Sequence, residues 1–125
     1  MEYKFTILGR LNGMNEYTSA QRTNKYAGSK MKGEDQMVAE YAILTTLRGV
    51  HIAKPVNIHY AFYEPNKKRD KDNIAGFAHK VIQDALVQTK VLKDDGWGEI
   101  VGFTDTFYED KKRPRIEVTL EEVEQ

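Results

Sequence analysis

The run Lys67-Lys68-Arg69-Asp70-Lys71-Asp72-Asn73 sets cations and closely spaced carboxylates ahead of an apolar-striped segment, and a second acidic pair, Asp94-Asp95, follows that segment. Carboxylate oxygens hold hard divalent ions, while ammonium and guanidinium groups hold phosphates. Together they point to metal-dependent chemistry on a phosphodiester. Asp70 and Asp72 are two apart, so in an extended chain their side chains face the same side. Carboxylates that close repel each other unless a cation sits between them. Mg²⁺ suits such a set, because it takes few protein carboxylates and keeps waters and phosphate oxygens. A calcium loop fails: counting from Asp70, position six is Ala75 and position twelve is Val81, where that loop needs Gly and Glu. The plainer readings are a helix N-cap for Asp72 and a turn for Asp94-Asp95-Gly96.

Lys80 and Asp84 stand four apart in the same segment. On a helix that spacing makes a surface ion pair worth about 0.3 kcal/mol. The chemical alternative sets the Lys80 ammonium near the carboxylates, against charge developing on a phosphate oxygen. His51, His59 and His79 share no metal-ligand spacing and receive no catalytic role.

The elements that must position these groups are readable from periodicity. Tyr3–Leu8 alternates as a strand with Tyr3, Phe5 and Ile7 on one face. Residues 9–33 are polar, basic and rich in Asn, Gly and Ser, and read as a long mobile loop. Glu34–Arg48 fits a helix faced by Met37, Val38, Tyr41 and Leu44 and ended by Gly49. Pro55–Tyr63 fits a strand, with Val56, Ile58, Tyr60 and Phe62 alternating with smaller or polar residues. Asn73–Gln88 carries Ile74, Phe77, Ala78, Val81, Ile82 and Ala85 at helical spacing. Trp97–Phe107 and Arg115–Leu120 read as strands, joined through Glu109–Pro114 as a hairpin. The order β-α-β-α-β-β predicts one α+β domain over residues 1–125: a two-layer sandwich of two main helices on a mixed four-stranded sheet.

Composition narrows the function. The 125 residues hold 19 basic and 19 acidic side chains, so the chain is not basic overall as a general nucleic-acid coat would be. The charge is uneven, however. Lys4, Arg10, Arg22, Lys25, Lys30 and Lys32 crowd the first third against Glu2 and Glu16, and Glu117, Glu121, Glu122 and Glu124 crowd the end. With no cysteine, disulfides and thiolate sites are excluded. No apolar run is long enough to span a bilayer, and the start lacks a signal-peptide pattern, so a cytoplasmic protein is expected.

The block Arg69-Asp70-Lys71-Asp72-Asn73-Ile74, then Lys80 with Asp84-Ala85-Leu86, then Leu92-Lys93-Asp94-Asp95, resembles the RusA family of Holliday junction resolvases. Phage and prophage members from Gram-positive bacteria look most similar. There the opening Leu8-Gly9-Arg10-Leu11-Asn12-Gly13-Met14-Asn15-Glu16-Tyr17 with Arg22, and the tail Val101–Asp105 and Pro114–Val118, also have counterparts. The resemblance implies a dimeric, Mg²⁺-dependent endonuclease, with Mn²⁺ as a substitute, that resolves four-way DNA junctions by paired nicks in the bacterial cytoplasm. Its catalytic, metal-holding aspartates fall on Asp70, Asp72 and Asp95, and its helix lysine on Lys80. Four extra residues precede that lysine relative to the enterobacterial form, a shift of roughly 6 Å along a helix axis. Lys67, Lys68 and Arg69 are expected to hold flanking phosphates, and Arg22, Lys25, Lys30 and Lys32 a junction arm. Phe103, Phe107 and Trp97 are candidates for a dimer contact, with core or sheet packing as the plainer reading. Two other readings compete: a module that binds branched DNA without cutting it, and a structural metal-binding domain.

Overall fold

The computed structural model describes residues 1–124 and contains β1 (Glu2–Leu8), α1 (Met14–Thr23), α2 (Lys25–Leu47), β2 (Val56–Glu64), α3 (Lys71–Gln88), β3 (Ile100–Glu109) and β4 (Arg115–Glu122). The sheet order is β1-β4-β2-β3, with β4 antiparallel to both β1 and β2, and β2 parallel to β3. Val56, Ile58, Tyr60 and Phe62 of β2 are almost wholly buried, and the residues between them are not. That alternation covers one sheet face with helices and leaves the other open, the α+β sandwich that the periodicity predicts.

The mixed sheet has a different origin from the predicted one. β3 and β4 do not form a hairpin, because β2 pairs with both and lies between them. The connection through Pro114 therefore steps over β2, a span of about 9.6 Å or two strand spacings. Asp110 N donates to Glu64 O at 2.7 Å, and Gly9 N to Pro114 O at 2.9 Å, so this connection is stitched to both its neighbours. The parallel contact is the β2–β3 pair, which requires a crossover, and α3 supplies it.

Residues 9–33 are not a long loop. They contain α1 and the first turns of α2, giving three helices in the order β-α-α-β-α-β-β. α1 turns only Met14 and Tyr17 toward the core and the first turns of α2 carry no apolar stripe, so local periodicity gave little signal. Caps and tertiary contacts hold them instead. Asn24 Oδ1 accepts from Tyr26 N and Ala27 N, both at 2.9 Å, and Tyr17 stacks on Phe77 of α3 at 4.5 Å.

The buried face of α2 also differs from the predicted one. Asp35, Ala39, Ile43 and Leu47 turn inward at steps of four, whereas Met37, Val38 and Tyr41 are exposed. Both sets have helical spacing, and only packing against α3 and β1 chose between them. In α3 every residue of the predicted stripe is buried, and Phe77, fully enclosed, contributes about 2–3 kcal/mol by its burial.

Candidate active site

The C-terminal ends of the parallel pair β2 and β3 open into a cavity of about 630 Å³. Asp70, Asp72, Lys67, Lys71, Phe107 and Tyr108 line it. Asp70, not Asp72, is the N-cap residue: its backbone is extended (φ −69°, ψ 154°) and its carbonyl accepts from Ile74 N at 3.0 Å. Asp72 lies within the first turn, where a negative charge suits the helix dipole. The Asp70 side chain makes no capping bond, and among the described residues its carboxylate has no hydrogen-bond or ion-pair partner. Asp72 Oδ1 accepts only from Asn73 N, at 2.9 Å. Two exposed carboxylates with spare lone pairs, beside open space for water, are the donor set a hard cation such as Mg²⁺ takes.

A buried polar brace fixes this edge. Arg69 forks onto Glu64, the last residue of β2, through Nε to Oε1 at 3.1 Å and Nη2 to Oε2 at 2.9 Å. Its Nη1 donates to Leu11 O at 3.1 Å and lies 3.6 Å from Glu16. Arg10 adds a second cation to Glu64 at 3.2 Å. The connection before α1 and the first turn of α1 are tied in turn to α2 and α3. Asn12 N donates to Asp35 at 2.7 Å, and Asn15 N to Asn73 Oδ1 at 2.7 Å. Burial pushes the Asp35 carboxyl above the ordinary carboxylate range, and the hydrogen bonds from Asn12 pull against that rise. Gly13 passes so close that a Cβ would stand 2.6 Å from Asn73 Oδ1. The chain therefore needs glycine there for approach, not for a special φ.

Asp95 lies elsewhere. The 18 residues of α3 span about 27 Å, and the Asp94-Asp95 turn follows its far end. The segment does not return toward Asp70 within the chain, because the parallel crossover delivers it to the opposite end of the strands. Among the described residues no three His, Cys, Asp or Glu side chains gather closely enough to hold a metal ion. Although solvent-exposed, Asp95 has its carboxyl held above the ordinary range, by partial desolvation first and then by the neighbouring Asp84 charge. Asp84 pairs with Lys32 of α2 at 2.5 Å and not with Lys80. Lys80 is exposed on α3, with no ion pair among the described residues.

The family model for endodeoxyribonuclease RusA matches residues 13–121, which take in both carboxylate groups, α3 and most of the sheet. The chain belongs to the RusA endodeoxyribonuclease family. It is therefore an endonuclease of a family that acts on branched DNA junctions. A search among curated proteins found no match.

For a RusA endonuclease the useful cations are the unlocked ones. Lys67 and Lys68 are exposed beside the cavity, and Arg22, Lys25 and Lys30 are exposed on α1 and α2. Arg69 and Lys32 are committed inside the protein, so both hold structure in place of the phosphates expected for them. Trp97 is fully exposed and Phe103 half exposed, so neither is core, whereas Phe107 packs partly against the core. All three histidines are engaged: His51 with Lys90 O, His59 with Thr104 and Glu121, and His79 with Asp105 at 2.7 Å. Sequence reasoning missed the brace of Arg10, Asn12, Glu16, Asp35, Glu64 and Asn73. Its one local sign was a cluster of polar residues around Gly13, in a segment without apolar period.

Proposed function

We propose that this protein is a Mg²⁺-dependent resolvase that cuts four-way DNA junctions by paired nicks in the bacterial cytoplasm, acting as a homodimer. The observation that carries this reading is the pair Asp70 and Asp72, neither held by another side chain among the described residues and both braced from below, on one cavity with Lys67 beside it. Asp70 and Asp72 would hold the metal, which when bound supplies an acidified water and a polarised phosphate. Lys67 and Lys68 hold the flanking phosphates and so fix the register of the strand. Glu64 and Arg69 keep the start of α3 from shifting, which preserves the spacing of the carboxylates. Lys80, exposed and free on the same helix, is available to a phosphate oxygen.

The distance along α3 gives the dimer its role. Asp70 and Asp95 flank opposite ends of α3, a helix about 27 Å long, and no three carboxylates gather among the described residues of one chain, so a three-aspartate site draws Asp95 from the second copy. Two such shared sites, related by a two-fold axis, make two symmetric nicks. Trp97 and Phe103, exposed near the start of β3, provide apolar surface for that contact.

The test uses a labelled four-way junction and a matched linear duplex, with Mg²⁺ or with EDTA. Paired nicks in the junction alone, requiring metal, are expected. Tight junction binding without cuts under any divalent metal would replace the nuclease with a binding module. Mixing Asp70→Asn with Asp95→Asn protein then decides the sharing. Shared sites leave each mixed dimer with one intact site, so nicking returns; sites built within one chain leave the mixture dead.

A further inference from the structure

The open face of the sheet carries a stack of planar groups at the edge that bears the acidic cavity. In the strand register Tyr63 of β2 lies opposite Arg115 of β4 and opposite Tyr108 of β3. The Arg115 guanidinium lies 3.7 Å from the Tyr63 ring centre. Tyr63 in turn stacks on Tyr108 at 4.8 Å, with the rings 18° from parallel. Arg115 cannot swing away, because Glu117 takes its Nε at 2.8 Å and Asp110 its Nη1 at 3.0 Å.

The stack is pinned at its Arg115 end and open at its Tyr108 end. β3 is the edge of the sheet, so no strand offers a fourth group beyond Tyr108. Among the described residues no ring or guanidinium lies on the outer face of the Tyr108 ring, and the residue is 50% exposed. Tyr108 also lines the cavity that holds Asp70, Asp72 and Lys67. A flat group seated on it would have carboxylates, and with them any bound metal, on one side and free ammonium groups nearby. A nucleotide matches that surface, with its flat base and its anionic phosphate. An apolar protein side chain matches the ring alone.

We propose that Tyr108 is a stacking platform for an unpaired nucleobase of the DNA held at the acidic cavity, with the base as the fourth layer on Arg115, Tyr63 and Tyr108. This deepens the nuclease reading and rests on it. The rigid strand and the pre-stacked Tyr63 mean that Tyr108 loses little freedom when a base arrives. Stacking on an aromatic side chain is worth about 1–3 kcal/mol per base, or roughly five-fold to over a hundred-fold in affinity. Because every base has a flat face, the contact is expected to tolerate sequence and to favour unpaired over paired DNA.

The experiment measures binding in EDTA, where no cutting occurs. The probes are a single-stranded oligonucleotide carrying 2-aminopurine, whose emission falls on stacking, and a blunt linear duplex. Wild type and Tyr108→Phe should quench the probe and bind the single strand alike. Tyr108→Leu should quench it less and bind at least about five-fold more weakly, with duplex affinity unchanged in all three. Tyr108→Thr, a β-branched side chain suited to the strand, repeats the comparison should the leucine variant fold poorly. Quenching and affinity that survive both Tyr108→Leu and Tyr108→Thr overturn the proposal, as does a wild-type protein that never quenches the probe. Junction cutting in Mg²⁺ is scored separately. Stacking without cutting would leave this platform standing and remove the nuclease reading, while cutting without dependence on Tyr108 would do the reverse.

Discussion

The two ends of α3 carry similar residues in opposite settings. At the N-terminal end, Asp70 and Asp72 stand on a base in which Glu64, Arg69, Arg10 and Glu16 bond to one another and to the chain before α1. At the C-terminal end, Asp94 and Asp95 sit on an exposed irregular connection, with Asp84 as a like-charged neighbour whose own cation comes from α2. One end fixes its carboxylates in place. The other presents a carboxylate on an exposed connection, where a second molecule can reach it. A metal site needs fixed ligands, but a site shared between two copies also needs a ligand that projects from its own fold.

The comparison breaks most visibly at Asp70. Asp70→Asn should reduce metal-dependent cutting to background while leaving the melting temperature and junction binding intact, since this carboxylate supports nothing else in the fold. A large loss of stability would show that the carboxylate belongs to the brace. Arg69→Ala tests the brace itself. It leaves the buried Glu64 with Arg10 alone, so urea unfolding should show a loss of about 3 kcal/mol. An unchanged midpoint would mean that the fork is not what holds this edge.

Gly13→Ala should cost about 1–3 kcal/mol, because the added methyl group displaces Asn73 and its bond from Asn15. Lys67→Ala makes the contrast with Arg69: the same measurement should show no stability change. Junction binding should weaken uniformly across sequences, with the slope against log salt concentration reduced by about one unit.

The smallest effect is expected at the far end. The folded protein holds the Asp95 proton more tightly than the unfolded chain does. The stability from this group is therefore present below about pH 3.9, the ordinary aspartate value, and is lost as pH rises through the elevated one. Asp95→Asn should flatten the stability profile slightly across that window, by a few tenths of a kcal/mol because the side chain is exposed. A steep change there would mean that the turn is held far more firmly than its exposure suggests.

Several features were readable because they are local. The stripe of α3 and the alternation of β2 and β4 each repeat with a period that one element satisfies alone. α1 was unreadable because it is held by Tyr17 meeting Phe77, a residue far away in sequence, whereas the start of α2 carried a local sign, Asn24 as a cap, in a stretch whose polar composition reads as a loop. The inward face of α2 was ambiguous for a related reason: two sets of residues had helical spacing, and the partner surface selected the one containing Asp35 and Ala39.

The sequence by itself determined that two carboxylates precede a long helix and that another pair follows it. Since the rise per residue is a property of the backbone, the length of that run sets a helix of about 27 Å between the two groups, while the path of the chain after it belongs to the tertiary structure. Only the tertiary structure decided that β2 lies between β3 and β4, that Arg69 and Lys32 are spoken for while Lys67 and Lys80 are free, and that Tyr63, Tyr108 and Arg115 form one stack. Strand neighbours and ion-pair partners are choices among distant residues of similar chemistry. They are settled by which arrangement buries the apolar faces and leaves no buried polar group unbonded, and neither condition has a period in the sequence.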